Sequence, residues 1–268
     1  MKLTRYFLLA FLSMGLLSTV DAMRLRPGET ETFTFPDQPQ TLWSLGQSFE
    51  TKKMPAVTVR LPDNYTKKRE FPLVVFIGAA RGGSGHDVSA VTSVVGTSDF
   101  ICVSLPLFKN PADIEKHKQM PNIHELAIEP GQTELLWSAY APMLEKVFQE
   151  VPNIDRTKTF FGGFSNGAHA TAALLNHPNA GPGLREYVNH FYFVEGGHFL
   201  QLTMALPDAE LLFMQGEQRA PWLEKTAEPL QWNVRIGVEV RTMPGIGHAF
   251  PGREKRWLRA WIRKKCGL

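Results

Sequence analysis

Cysteine is nearly absent: Cys102 and Cys266 are the only two in 268 residues. Two thiols exclude a disulfide-stapled scaffold, and with no histidine partner at ligand spacing they exclude a structural zinc site, so no metal is expected. Cys102 lies in the apolar stretch "FICVSLP" and Cys266 in the C-terminal tail, which reads as a core thiol and a tail thiol rather than a bridge. Long single-sign charge blocks are also missing. Charged residues make up 21% of the chain and the net charge is +3, a balance that excludes disorder and gives no polyanion-binding surface. The densest basic cluster, "REKRWLRAWIRKK" at 253–265, carries Trp257, Leu258, Trp261 and Ile262 at helical spacing. That pattern is a closing amphipathic helix with a solvated basic face, and no nucleic-acid partner is expected. Internal repeats and low-complexity tracts are absent too.

Long apolar runs are limited to one. "YFLLAFLSMGLL" at 6–17 follows Lys2 and Arg5 and precedes "STVDA", which ends in small residues at Val20 and Ala22. A membrane span needs about 20 apolar residues, so the layout reads as a signal peptide over 1–22, cleaved after Ala22, and not as a stable anchor. No cysteine follows the cleavage point, which excludes lipoprotein processing there. The expectation is an exported protein, periplasmic or secreted, with residues 23–268 as one domain. "NYT" at 64–66 fits a glycosylation acceptor, relevant only in a eukaryotic source.

The full chain is 43% hydrophobic, enough for one substantial core. "ETFTF", "TLWSLGQSF" and "AVTVRLP" alternate and predict an antiparallel N-terminal edge. "PLVVFI" is continuously apolar, as suits a strand covered on both faces, and runs into the small-residue loop "GAARGGSG". Helix and strand then alternate: "HDVSAVTSVVGT", "FICVSLP", 134–151, "TKTFFGGF", "SNGAHATAALLN", "HFYFV", "ELLFMQG", "APWLEKTAEPLQ", "VRIGVEVRTMP" and the basic helix. Pro142 inside 134–151 should kink or restart that helix. The alternation predicts an α/β fold, a mostly parallel central sheet with helices on both faces. The excursion at 107–133 and the loop at 177–189 are expected to wall a pocket.

One stretch carries chemistry. "GGFSNGAHAT" sets Ser165 between Gly163 and Gly167, where an apolar strand ends and a helix begins. G-x-S-x-G fits a nucleophile elbow, and equally an ordinary serine N-cap. "RTMPGIGHAFPG" supplies the discriminating residue: His248 falls just past the last strand, in a Pro/Gly-rich turn before the final helix. Of the other histidines, His169 lies one helical turn past Ser165 and reads as a packing or rim residue. His198 follows "VEGG" near the same sheet end, and His86 follows the glycine-rich loop. His117, His124, His177 and His190 sit in polar context.

With "PLVVFIGAARGG", "IDRTKTFFGGFSNGAHAT", "LLFMQGE" and "MPGIGHAF", the chain resembles the α/β-hydrolase superfamily. Within it, the resemblance is to secreted esterases of the dienelactone-hydrolase-like and polyhydroxybutyrate-depolymerase-like kind. It implies a serine-dependent carboxylester hydrolase without metal or organic cofactor, acting on a small-molecule or polymer ester. Ser165 would be the nucleophile and His248 the general base, with an oxyanion held by backbone N–H groups of Asn166 and of Ala79 or Ala80. Two departures stand out. Gly78-Ala79 replaces the His-Gly such proteins often carry, and Arg219 stands where an aspartate is expected after "LLFMQG".

The acid must lie between 166 and 247 at the carboxyl end of a strand. Asp208 and Glu210 are at the wrong end of theirs, and Glu224 is more than a turn into the next segment. Glu217, just after "LLFMQG", is the first choice and Glu195, just after "HFYFV", the alternative. A weak acid favours esters over amides, whose leaving amine needs a well-oriented histidine to protonate it. The other readings are a serine peptidase of the same fold, whose prolyl-peptidase relatives normally append a propeller domain for which the chain is too short, and an inactive hydrolase-fold binding protein. Trp222 and Trp232 suit helix packing better than a polymer-binding surface. Whichever ester is cleaved, the rate should fall as pH drops through the range in which imidazoles protonate.

Overall fold

The structure is a computed structural model that describes residues 23–36, 54–79, 85–108, 130–197, 210–218 and 238–268. Among the described residues eight strands form one sheet: β1 (Thr30–Thr34), β2 (Ala56–Arg60), β3 (Phe71–Ile77), β4 (Ile101–Leu105), β5 (Ile154–Phe164), β6 (His190–Val194), β7 (Glu210–Gly216) and β8 (Glu239–Met243). Their spatial order is β1-β2-β4-β3-β5-β6-β7-β8. β1 pairs with β2 and β2 with β4 antiparallel, and all other pairs are parallel. The antiparallel N-terminal edge and the parallel body are therefore as the alternation predicts. "TLWSLGQSF" and "APWLEKTAEPLQ" lie outside the described residues.

Five helices are described: α1 (Ser89–Val95), α2 (Pro130–Glu150), α3 (Asn166–Asn176), α4 (Ala180–Arg185) and α5 (Gly252–Cys266). They cover both faces, because the central strands are apolar on both. On one face Leu73, Val75, Phe161, Phe191 and Phe213 pack with Tyr140, Met143 and Leu144 of α2 and Leu174 of α3. On the other, Val74, Phe160, Tyr192 and Leu212 pack with Val91 of α1 and Leu258, Trp261 and Ile262 of α5. Burying such a side chain contributes about 1.5–3 kcal/mol. Trp257 is only partly buried against that second cluster, with Arg241 lying 4.3 Å over its ring. The basic C-terminal segment is thus a packed helix ending on Gly267 in the left-handed conformation, with Arg263, Lys264 and Lys265 at its negative dipole end.

Two expectations change. α2 runs through Pro142 as one element and does not restart there. Its apolar face, Leu136, Tyr140, Met143, Leu144 and Val147, is buried on both sides of the proline, so packing holds one axis despite the lost hydrogen bond. The 177–189 segment does not wall the carboxyl end of the sheet. It joins the end of α3 to the start of β6, folds as α4, and anchors at the start of β5, where Asn189 donates to Arg156 O at 2.6 Å. Of the 107–133 excursion, 109–129 lies outside the described residues. Cys102 and Cys266 are both buried free thiols. Among the described residues no helix is long and apolar enough to cross a membrane.

Candidate active site

Strand register brings the chemistry together. Phe164 of β5 pairs with Val194 of β6, and Val194 pairs with Met214 of β7. Ser165 and Glu195 are each the first residue past that layer, and each main-chain N–H still bonds sideways: Ser165 N to Val194 O at 2.8 Å, Glu195 N to Met214 O at 2.8 Å. Both residues have φ of 55°, and they are the two non-glycine residues at positive φ among those described. Such a conformation costs about 1–3 kcal/mol per residue and persists where its surroundings over-determine it.

Ser165 occupies the N-cap position of α3, yet its side chain makes no capping bond. Its Oγ lies instead 2.9 Å from His248 Nε2. Of the two readings left open by G-x-S-x-G, the geometry is that of an elbow. The flanking glycines are required by close approach. A Cβ at Gly163 would run into Ile77 O, and one at Gly167 into both Ile77 O and Gly78 O. With no side chains there, α3 sits directly on the end of β3, so its first N–H groups and the backbone at Ala79 share one end of the sheet. Ala79 is half-buried there, and Ala80 lies outside the described residues.

His248 arrives from the turn after β8. Its ring stacks on Phe164 at 5.3 Å between centroids and 25° between planes, and Phe164 in turn stacks on Phe250 at 6.1 Å. Its Nδ1 faces Glu195 Oε2 at 3.1 Å. Glu195 is fully buried, with a relative exposure of 0%, whereas the His248 side chain is 32% exposed. A buried carboxylate is tolerated only when both oxygens are occupied. Here the second, Oε1, accepts the Gly216 N–H.

Glu217, the first choice by sequence, is not at His248. Its Oε2 accepts the Gly245 N–H at 2.8 Å on the exposed surface. The reason is register: Met214 is level with Val194, so the residue level with Glu195 is Gln215, and Glu217 lies two positions beyond the layer that holds Ser165. The structure thus brings Ser165, His248 and Glu195 into one chain of contacts and leaves Glu217 out. With an acid in contact with the histidine, the preference for esters based on a weak acid loses its ground. His86 is also elsewhere, its Nε2 2.7 Å from Met54 O, and His198 lies outside the described residues.

His169 has a contact that spacing alone gives no sign of: its Nδ1 accepts the Gly197 N–H at 2.9 Å, two residues past Glu195.

No protein-family model matches the chain, and no curated protein sequence matches it. Solved structures do. The isopeptidase AtxE2 aligns with a TM-score of 0.55 and 13% identity over 89% of this chain and 40% of its own. TT1662 from Thermus thermophilus aligns with a TM-score of 0.51 and 15% identity over 90% of this chain and 99% of its own. A thermostable esterase aligns with a TM-score of 0.48 and 16% identity over 89% of this chain and 60% of its own. The chain therefore spans less than two thirds of both the isopeptidase and the esterase. Together with the strand order, the first two likenesses show the α/β-hydrolase fold.

Proposed function

We propose that this chain of α/β-hydrolase fold is a serine hydrolase that cleaves carboxylic esters through an acyl-enzyme on Ser165. The observation that carries the reading is the relay from Ser165 Oγ to His248 Nε2 at 2.9 Å and from His248 Nδ1 to Glu195 Oε2 at 3.1 Å. Ser165 Oγ attacks the ester carbonyl carbon as His248 Nε2 takes its proton, giving a tetrahedral oxyanion. The backbone N–H of Asn166 and one from Ala79 or Ala80 hold that charge. On collapse the carbonyl–alkoxy C–O bond breaks and His248 gives its proton to the leaving oxygen. Water, deprotonated by the same nitrogen, then attacks the acyl carbon and releases the acid and Ser165. Glu195 fixes the imidazole tautomer with its proton on Nδ1 and stabilises the imidazolium. The relay serves either bond, and esters are the reading chosen because an alkoxide is the better leaving group.

The test is labelling by a fluorophosphonate, which requires an activated serine, followed by turnover of p-nitrophenyl esters of increasing chain length. Labelling and turnover lost together in Ser165→Ala is the expected result. An unlabelled wild-type chain would favour a binding role, and turnover of anilides faster than of matched esters would favour a peptidase.

Export follows from the N-terminal segment. Cleavage after Ala22 makes Met23 the first residue, and its buried side chain and main-chain nitrogen, 2.7 Å from Glu150 Oε2, suit a docked N-terminus.

A further inference from the structure

The turn that carries Glu195 has no secondary structure of its own to hold it. It runs Glu195-Gly196-Gly197, with φ of 55° at Glu195 and 77° at Gly197, directly after β6. One side of it is pinned to β7 by the Glu195 N–H on Met214 O and the Gly216 N–H on the carboxylate. The other side lies flush on the elbow helix: a Cβ at Gly196 would collide with Ser165 O, and one at Gly197 would press on Ala168 O and Ala172 Cβ. On that side a polar anchor comes from the His169 side chain of α3, whose Nδ1 accepts the Gly197 N–H at 2.9 Å. The His169 main-chain N–H in turn bonds Ser165 O at 3.1 Å.

We infer that His169 is a positioning residue for Glu195, fixing the acid's turn against the helix that presents the nucleophile. The inference rests on the proposed Ser165–His248–Glu195 relay. A ring that accepts at Nδ1 carries its proton on Nε2, so what matters is a hydrogen-bond acceptor at the δ1 position of residue 169. Asparagine offers one, because its Oδ1 occupies the place of Nδ1 on Cγ. Phenylalanine keeps the ring volume and offers none. Without the acceptor the Gly197 N–H is orphaned, the turn relaxes, and Glu195 no longer meets Nδ1 squarely. Misplacing a catalytic group by an ångström costs up to about a hundredfold in rate.

The experiment compares wild type, Ser165→Ala, His169→Phe, His169→Ala and His169→Asn on one p-nitrophenyl ester, with melting temperatures for each. The expected result is a kcat lowered about 10- to 100-fold in His169→Phe and His169→Ala, with KM within about twofold, and recovery to within about threefold of wild type in His169→Asn. If His169→Ala fails to fold, the Phe–Asn contrast decides alone. Equal kcat in the Phe and Asn variants overturns the inference, whether both are active or both impaired. In either case an inactive Ser165→Ala leaves the serine-hydrolase reading intact. Should Ser165→Ala turn over the ester like wild type, that reading falls and takes this inference with it.

Discussion

Glu195 Oε2 stands 3.1 Å from His248 Nδ1, while the other carboxylate oxygen is held by the Gly216 N–H of the neighbouring strand. The acid is therefore locked into β7 although it belongs to the turn after β6. A fully buried carboxylate so fixed can hold one imidazole tautomer without moving during the reaction.

Glu195→Gln should consequently lower kcat by about 10²–10⁴, because an amide placed at Nδ1 favours the wrong tautomer. Glu217→Gln should leave kcat within about twofold of wild type, since its carboxylate serves the Gly245 N–H at the surface. Steady-state turnover of one ester by the two variants decides between them. The reverse ranking would move the acid to the end of β7.

Sequence favours Glu217 for a physical reason. Chain order and strand ends narrow the acid to two glutamates, since both quantities are local. Choosing between them requires the register of β6 against β7, in which Val194 meets Met214. That pairing is set by long-range packing of Phe191, Phe193, Leu211 and Phe213, and no motif encodes it. Ser165 and His248 are legible because each sits next to its own punctuation, glycines at 163 and 167 and the "PGIG" turn. His169 is legible only as one turn past the serine. Its partner is a main-chain N–H beyond another strand, which leaves no mark on composition or spacing.

Ser165 stores strain that glycine would release. Ser165→Ala keeps a Cβ at φ of 55° and should melt close to wild type while losing ester turnover. Ser165→Gly removes the Cβ from that conformation at some cost in unfolded-state entropy. It should be equally inactive yet more stable than Ser165→Ala by about 0.5–1 kcal/mol. Urea denaturation of the pair is the measurement, and a glycine variant less stable than the alanine one would show that the elbow is not strained.

Neither thiol should react in the native protein. Burial pushes Cys102 up to about 12, and burial likewise pushes Cys266 up to about 12. The thiolate is the reactive species, and it is scarce far below such a value. An aromatic disulfide reagent at pH 8 should therefore titrate almost no thiol in the folded chain and both after unfolding in urea. Rapid native labelling of Cys266 would mean that the end of α5 frays.

Met23, the first described residue, is held by a carboxylate from the end of α2. Glu150 receives Lys146 Nζ at 2.6 Å and the Met23 main-chain nitrogen at 2.7 Å. Partial burial alone would raise its carboxyl, but the hydrogen bonds from Lys146 and Met23 outweigh it and hold the group below its ordinary value. A carboxyl lowered on folding stabilises the fold above its unfolded pKa, about 4.3. That contribution disappears as pH falls through the lower folded value. Glu150→Gln should therefore melt below wild type at pH 7, and the gap should close in the acid range below about pH 4.3. If cleavage follows Ala22, the Met23 nitrogen becomes an ammonium and the contact an ion pair. The gap at pH 7 should then be wider in a chain beginning at Met23 than in one still carrying Ala22, whose amine lies one residue away. Intact mass of the protein recovered outside the cytoplasm gives the true first residue. A first residue other than Met23, with equal melting of the two chains, would separate this contact from processing altogether.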